Sequence, residues 1–501
     1  MTPIRSRFTR PRRVFPAARL FVLSIAALAA LLVVFTLSCA TNPVTGKREL
    51  SLVSTNQELA IGKDGYGAVI SEYGLYDDPK LQAYVDSIGK ALARVSHLPD
   101  LDWKFTVLDD PTVNAFAMPG GYIYVTRGIL AHLNSEAQLA GVLGHEIGHV
   151  TARHSARQIT QQQLATLGLG VASILSQTVQ QYSQAAQTAL GLMFLKYGRD
   201  DENQADQLGV NYATQAGWDP REIPGTYETL GRVGSKSGQS LPGFLSTHPD
   251  PGDRQARTTE LARAAAAGKT GLRVQARALL SKLDGVVYAN DPRQGYFEGE
   301  TFYHPGLAFQ LRFPAGWKYQ NSRASVAAQE PNKAAVMQLT LENAGTLTPA
   351  QYFANLQATG KIGGTDGVSE TIGGFSAWVG RLSVPREDGT TAVLLAAGIR
   401  RTAEQFYRML GQSAATGDAN AAAIFSSVRS YRALTDAGRL AATPDRVRVV
   451  SAPRAGTFQA VVGSFGAPGA PMEDLAILNN AELDGDVRAG EQLKIVTAGR
   501  R

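Results

Sequence analysis

Residues 144–154 read GHEIGHVTARH, and the pentapeptide HEIGH within them places His145, Glu146 and His149 on one predicted helix. Positions i and i+4 of an α-helix lie about 40° apart around the axis and one turn apart along it. Both imidazoles can therefore reach one point, and Glu146 can hold a water molecule there. Neutral imidazole nitrogens and carboxylate oxygens are ligands that suit zinc. The stretch predicts a zinc-binding helix.

The composition around this pentapeptide is that of a helix packed deep in a fold. Apolar residues alternate with glycines, which allow neighbouring elements to approach closely: Leu139, Gly141, Val142, Leu143, Gly144, Ile147, Gly148 and Val150. Each glycine inside a helix costs about 1 kcal/mol relative to alanine. A site that needs close backbone approach explains that cost, although a chance match to the pentapeptide stays open until a third ligand is found.

A third ligand is available in the segment RDDENQAD, residues 199–206. Glu202 and Asp206 are four residues apart and share a helical face, so Glu202 can complete a His-His-Glu site with a fourth position left for water. Asp206 then suits a position behind the ligands, where it would accept a hydrogen bond from a histidine ring N–H. The alternative is a solvated helix start, which is the expected role of Asp200 and Asp201.

These motifs resemble the HtpX- and BepA-type gluzincin metalloendopeptidases, relatives of the CAAX-prenyl endopeptidases. Besides the HEIGH helix, four segments carry the resemblance over about residues 42–260, one of them part of the segment 199–206. They are NPVTGKRELSLVS at 42–54, NAFAMPGGYIYVTRGIL at 114–130, ENQAD at 202–206 and STHPDPGDR at 246–254. The resemblance implies a gluzincin-type peptidase fold, one Zn²⁺ per chain held by His145, His149 and Glu202, and peptide hydrolysis with Glu146 as general base.

The resemblance also implies roles for residues that spacing alone does not assign. His248 would lie near the metal, as a reversible fourth ligand that keeps the enzyme inactive or as a donor to the transition state; a histidine that caps a proline turn is the alternative. Asn114 to Tyr122 would form an edge strand that receives substrate backbone, through Asn114, Ala115, Phe116, Ala117 and Met118. His154 is expected to be structural, because one helix over Ser135–Arg157 would turn it away from the ligand face.

The first forty residues have the form of an export signal. A basic stretch precedes the apolar run Leu20 to Leu37, and Cys39, the one cysteine of the chain, follows. This pattern resembles the lipobox of bacterial lipoproteins, although Thr36 stands where leucine is usual, and an uncleaved membrane anchor is the alternative. Both place the protein in the bacterial cell envelope on the periplasmic side, and Ala40 favours an outer-membrane lipoprotein.

Charge excludes a nucleic-acid partner. Six of the 49 basic residues precede residue 20 and residues 1–38 contain no acid, so the remaining 43 basic residues equal the 43 acidic residues in number. The basic excess thus belongs to the targeting segment.

The chain is predicted to be an α+β multidomain protein. A signal segment (1–38) precedes a mainly helical zinc peptidase domain (39–265), a helical linker (266–285), a β-rich accessory domain (286–435) and a tail (444–498). The tail's order strand–helix–helix–strand resembles the LysM peptidoglycan-binding module, and a structural cap without ligand is the alternative. The apolar residues 163–197 are too interrupted for a membrane span and favour a buried or surface-lying helix.

We therefore expect a zinc metalloendopeptidase that acts on protein or peptide substrates, which include misfolded or misassembled envelope proteins. It would reach the membrane through a lipid at Cys39 or an N-terminal span, and peptidoglycan through its tail. A cell-wall-associated binding or chaperone protein with a closed or structural zinc site is the alternative from another class. A peptidase that cleaves cell-wall peptides is a third.

Overall fold

The structure is a computed structural model. It describes residues 39–168, 196–236, 243–248, 251–385, 390–414 and 417–500. The predicted export signal, residues 1–38, and most of the predicted helix within 163–197 lie outside the described residues, and lipidation of Cys39 stays a prediction. Among the described helices, none is both long enough and apolar enough to cross a membrane.

The peptidase part is mainly helical around one small sheet. Its elements are β1 (Cys39–Thr41), β2 (Arg48–Leu50), α1 (Thr55–Tyr73), α2 (Pro79–Ala93), β3 (Lys104–Leu108), β4 (Ala115–Met118), β5 (Tyr122–Thr126), α3 (Arg127–His132), α4 (Glu136–Thr151), α5 (His154–Gly168), α6 (Arg199–Gln215), a 3₁₀ turn (Pro220–Glu222), α7 (Ile223–Lys236), α8 (Gly243–Thr247), α9 (Pro251–Ala266) and α10 (Ala276–Leu283). In the sheet, β5 lies in the centre, parallel to β3 and antiparallel to β4. The strand β4 therefore lies at an edge.

The core of this part surrounds α4, which is buried along its whole length. Apolar side chains of α2, of the sheet and of α6 pack against it, with Leu143 and Ile147 fully buried. The segment 266–285, predicted as a helical linker, contains α10, and Leu279 and Leu283 of that helix lie in the same core. This segment is thus packed against the peptidase part.

The β-rich part begins after a 3₁₀ turn (Pro292–Gln294). Its elements are β6 (Tyr296–Glu298), β7 (Thr301–His304), β8 (Phe309–Arg312), β9 (Lys318–Asn321), β10 (Ser325–Gln329), β11 (Ala335–Glu342), α11 (Pro349–Ala358), β12 (Gly364–Ile372), β13 (Phe375–Pro385), β14 (Thr391–Arg400), β15 (Phe406–Ser413), α12 (Ala419–Arg429) and β16 (Arg432–Ala433). Seven strands form an antiparallel sheet in the order β12-β13-β14-β15-β11-β10-β9, and β16-β8-β7-β6 form a second sheet. Within β8 the buried Phe309 and Leu311 alternate with more exposed residues, the period-two pattern of a strand with one buried face.

A short helix, α13 (Ala437–Leu440), leads to the tail. The tail comprises β17 (Arg446–Ser451), β18 (Gly456–Thr457), α14 (Phe458–Gly463), α15 (Met472–Leu478), β19 (Asp486–Val487) and β20 (Gln492–Thr497), and β17 pairs with β20. Lys494 of β20 is fully buried, and its Nζ donates to the carbonyl oxygens of Ala131 at 2.7 Å and Leu133 at 2.8 Å. The tail is therefore docked on the turn that precedes α4.

Candidate active site

The helix α4 carries the predicted motif and begins where the sequence indicates. Ser135 caps it, because its hydroxyl accepts a hydrogen bond from the Gln138 N–H at 3.2 Å. The glycines allow α6 to lie directly against it: a Cβ added at Gly144 would stand 3.0 Å from the carbonyl oxygen of Gly209. Close packing of these two helices brings the HEIGH motif and the ENQAD segment together.

Four side chains converge between α4, α6 and the residue after α8. His145, His149, Glu202 and His248 each offer a ligand atom, and these atoms lie within 4.8 Å of one another. The Nε2 atoms of His145 and His149 are 2.9 Å apart, and His248 Nδ1 lies 2.8 Å from Glu202 Oε1. All four are at most 2% exposed. The structure therefore brings the two histidines and the carboxylate that the sequence selects to one buried point.

The donor set fits a zinc ion. It consists of imidazole nitrogens and one carboxylate, the ligands of catalytic zinc sites. Within the described part of the chain, neither carboxylate oxygen of Glu146 has a hydrogen-bond partner, although the residue is fully buried. Buried polar atoms are normally satisfied, so an unpaired carboxylate beside these ligands indicates a place for an ion and water.

Burial and charge act oppositely on the two carboxylates of the metal-free site. Burial raises the pKa of Glu146, and the nearby His248 and His145 only reduce that effect. Burial also raises the pKa of Glu202, but the charges of His248 and Arg254 outweigh it and lower the pKa to about 2. Glu202 is thus suited to remain an anionic ligand, whereas Glu146 is suited to accept and return a proton.

Asp206 lies behind His145, as its spacing from Glu202 suggests. Its Oδ1 is 3.0 Å from His145 Nδ1, which directs the other ring nitrogen of His145 towards the ligand cluster. Burial raises the pKa of Asp206, but Arg254 and the hydrogen bond with His145 outweigh it and hold the pKa well below its usual range.

Arg254 and Tyr227 complete this support and were not assigned from the sequence. The Arg254 guanidinium is 2% exposed and lies 2.6 Å from Asp206 Oδ1 and 2.8 Å from Glu202 Oε2. The second contact is an ion pair without hydrogen-bond alignment. Tyr227 donates its hydroxyl to Asp206 at 2.7 Å. Arg254 ends the segment STHPDPGDR, so that segment was the available signal, whereas Tyr227 has no local signal.

The expectation for His154 was wrong about its position. The helix α4 ends at Thr151, and Arg153 adopts a left-handed backbone conformation with φ of 58° before α5 begins. This break replaces the single helix expected over Ser135–Arg157. It returns His154 towards the site, and its Nδ1 lies 2.9 Å from Nδ1 of the ligand candidate His149.

The predicted substrate strand lies beside this site. Residues Ala115–Met118 form β4, the edge strand, and among the described strands only β5 pairs with it. Phe244 donates its backbone N–H to Val113 at 3.1 Å and stacks on His248 at 4.3 Å. Asn114 is buried, and its Oδ1 has no hydrogen-bond partner among the described residues. The start of β4 is thereby connected to the histidine that closes the ligand cluster.

A helix bearing two histidines and a glutamate, completed by a glutamate from a second helix, defines a zinc metallopeptidase domain. The sequence profile of Peptidase family M48 matches residues 79–262. This part of the chain is therefore similar to M48 peptidases, and its buried cluster of three histidines and a glutamate suits the zinc that such metallopeptidases use. The family resemblance seen in the sequence is confirmed.

Individual relatives agree with this assignment. The mitochondrial metalloendopeptidase OMA1 of Arabidopsis thaliana is 39% identical over 206 residues, 39% of this chain and 41% of the relative. OMA1 of Schizosaccharomyces pombe is 33% identical over 41% of this chain and 61% of the relative. The beta-barrel assembly-enhancing protease of Escherichia coli is 30% identical over 44% of this chain and 46% of the relative. The matched part thus spans between 41% and 61% of these relatives.

One solved structure overlaps part of the chain at low similarity. Cyanobacterial PsbP from Synechocystis shares 10% identity with a TM-score of 0.22, over 26% of this chain and 91% of that protein. A likeness at this level supports no conclusion.

Proposed function

We propose that this protein is a zinc metalloendopeptidase in which His145, His149 and Glu202 hold the metal and Glu146 is the general base. The observation that carries the proposal is the buried cluster of ligand atoms within 4.8 Å of one another, beside the fully buried Glu146. His145, His149 and Glu202 are the three protein ligands that a catalytic site requires, and we propose that His248 moves away from them to leave the fourth position for water.

Each of these side chains has a separate role in the proposed hydrolysis. Zinc, when bound, supplies Lewis-acid chemistry that acidifies water and polarises a carbonyl group. Glu146 takes the water proton and then delivers it to the leaving nitrogen, and its raised pKa makes the protonated form accessible. Asp206 and Arg254 orient His145 and Glu202, and β4 receives the substrate backbone as an added strand.

His248 is proposed to be a closing ligand. Its ring lies between Glu202, at 2.8 Å from Oε1, and His145, at 3.3 Å from Nε2, and it is 1% exposed. A histidine in this place takes the position that water and substrate need. We expect the described arrangement to be the inactive one, opened when α8 moves away from β4.

For the biological role, we propose that the substrates are misfolded or misassembled proteins of the bacterial envelope. The export-type N-terminus with Cys39 supports a periplasmic lipoprotein, and the E. coli relative is named for enhancing β-barrel assembly. The β17–α14–α15–β20 order of the tail supports peptidoglycan binding by a LysM-like module.

The function is tested by metal analysis and casein cleavage on full-length wild-type, Glu146→Gln and His248→Ala proteins. We expect one zinc per chain in all three, cleavage by the wild type, faster cleavage by His248→Ala, and nearly none by Glu146→Gln. Zinc without cleavage in both wild type and His248→Ala would instead favour a cell-wall-associated binding protein. Release of peptides from purified sacculi would favour a cell-wall peptidase.

A further inference from the structure

If His149 ligates the metal, its contact with His154 is a hydrogen bond in which His149 donates and His154 accepts. The Nε2 atom of His149 faces the ligand cluster, 2.9 Å from His145 Nε2, so its proton must reside on Nδ1. Among the described residues, the hydrogen-bond partner of that Nδ1–H is the Nδ1 of His154, at 2.9 Å, so His154 accepts there. A neutral His154 then carries its own proton on Nε2, which faces Gln204 Oε1 at 3.0 Å. Each ring nitrogen of His149 and His154 thus has one role as hydrogen-bond donor, acceptor or proposed metal ligand.

A second set of contacts holds His154 from outside the site. The arm formed by residues 40–58, which follows Cys39, lies against the break between α4 and α5. Asn42, 1% exposed, donates its side-chain amide to the Ala152 carbonyl at 3.1 Å. Arg153 donates to Glu58 Oε1 at 2.7 Å and to the Val53 carbonyl at 3.0 Å. The arm thereby maintains the left-handed residue that turns His154 inward.

The same arm reaches His154 through an ion-pair chain. Arg157 lies 3.3 Å from Glu49 of the arm and 2.6 Å from Asp201, and Asp201 Oδ1 lies 3.6 Å from His154 Nε2. Arg157 and Glu49 are about one-third exposed, so this outer pair adds little by itself. Buried Asn42 and the Arg153–Glu58 pair contribute most of the support.

We infer that His154 is a positioning residue that fixes the tautomer and ring orientation of His149, and that the N-terminal arm holds His154 in that place. The segment next to the predicted membrane anchor is thus part of the support of the zinc site. This inference rests on the proposed function, because it requires His149 to be a ligand.

The test compares two replacements of His154 by their zinc affinity. Asparagine places a carbonyl oxygen close to where Nδ1 stands and can accept from His149, whereas leucine fills the space without an acceptor. Loss of a partner behind a ligating histidine costs about 10–100-fold in metal affinity. We expect H154L to weaken zinc binding by at least about tenfold in chelator competition, and H154N to stay within about threefold of wild type. Melting of the metal-free proteins checks folding.

The outcomes separate this inference from the proposed function. Absence of zinc from the wild type, or absence of casein cleavage by both the wild type and His248→Ala, contradicts the proposed function. A functional wild type with equal zinc affinity in H154L contradicts the positioning role. Zinc binding by H154N as weak as that of H154L also contradicts it, because an acceptor at this place would then not restore the affinity.

A variant in the N-terminal arm tests whether the arm holds His154 in place, and it changes no residue of the ligand cluster. We expect N42A to weaken zinc binding several-fold and to alter the visible spectrum of the cobalt(II)-substituted protein, because Ala152 and His154 lose their support. R263M, which removes an exposed pair with Glu260 on α9, is the matched control and should change neither. N42A indistinguishable from R263M would refute the role of the arm.

Discussion

The contact between α4 and α6 can be tested at Gly209. A Cβ at this position would lie 2.9 Å from the backbone nitrogen of His145, where ordinary contacts are 3.4–4 Å. Backbone cannot move aside as a flexible side chain can, so the two helices must separate by about 0.5 Å in Gly209→Ala. His145 lies on one helix and Glu202 on the other, so the distance between these two proposed metal ligands changes with the helix spacing.

The size of the effect is measured against a matched glycine. Gly67 lies in α1 with nothing within 4 Å of its virtual Cβ, so Gly67→Ala reports helix propensity alone, a gain of up to about 1 kcal/mol. Gly209→Ala gains the same helix propensity, but the close contact of its Cβ with α4 destabilises the fold by about 1–3 kcal/mol. The difference in unfolding free energy between the two variants should therefore be about 1–3 kcal/mol.

Urea unfolding of the metal-free proteins gives this difference, and chelator competition gives the zinc affinity. A site tolerates displacements of only about 0.5 Å, so we expect Gly209→Ala to bind zinc about tenfold more weakly and Gly67→Ala to bind it as wild type does. If Gly209→Ala is as stable as Gly67→Ala and binds zinc like the wild type, the described packing of α6 on α4 is wrong.

Three further predictions concern the surroundings of the site. Tyr227→Phe removes the hydroxyl that donates to Asp206 at 2.7 Å, so it should cost about 1–2 kcal/mol in urea unfolding and weaken zinc binding; unchanged affinity would show that Asp206 needs no such support. Burial lowers the pKa of Lys494 well below its usual value, so the folded state binds fewer protons than the unfolded state. The stability of wild type relative to Lys494→Met should therefore rise with pH until about 10.4, the unfolded pKa, and a flat difference between pH 7 and 10 would contradict this. Removal of the metal by a chelator should lower the melting temperature and abolish cleavage, and added zinc should restore both; a chelated protein that melts as before would contradict a metal site between α4 and α6.

The sequence alone selects the proposed metal ligands, because their spacing is local. HEIGH and the Glu202–Asp206 pair each need only one helix to place two side chains on one face, and Ser135 identifies the start of α4 by its own hydroxyl. The alternation of buried and more exposed residues in β8 and β11 likewise arises from neighbouring residues alone. These features could be predicted, and M48 similarity confirms the class of domain that they indicate.

Contacts between distant segments were decided only by the tertiary structure. Arg254 reaches Asp206 across 48 residues, Asn42 reaches Ala152 across 110, and Lys494 reaches Ala131 across 363. The left-handed turn at Arg153 depends on such partners, since nothing in its neighbours breaks the helical pattern. Burial decides these contacts, because a polar or charged group removed from water needs a hydrogen-bond partner, and the fold determines which groups lie beside it. The sequence thus selected the proposed zinc ligands, and tertiary packing selected the side chains that contact them.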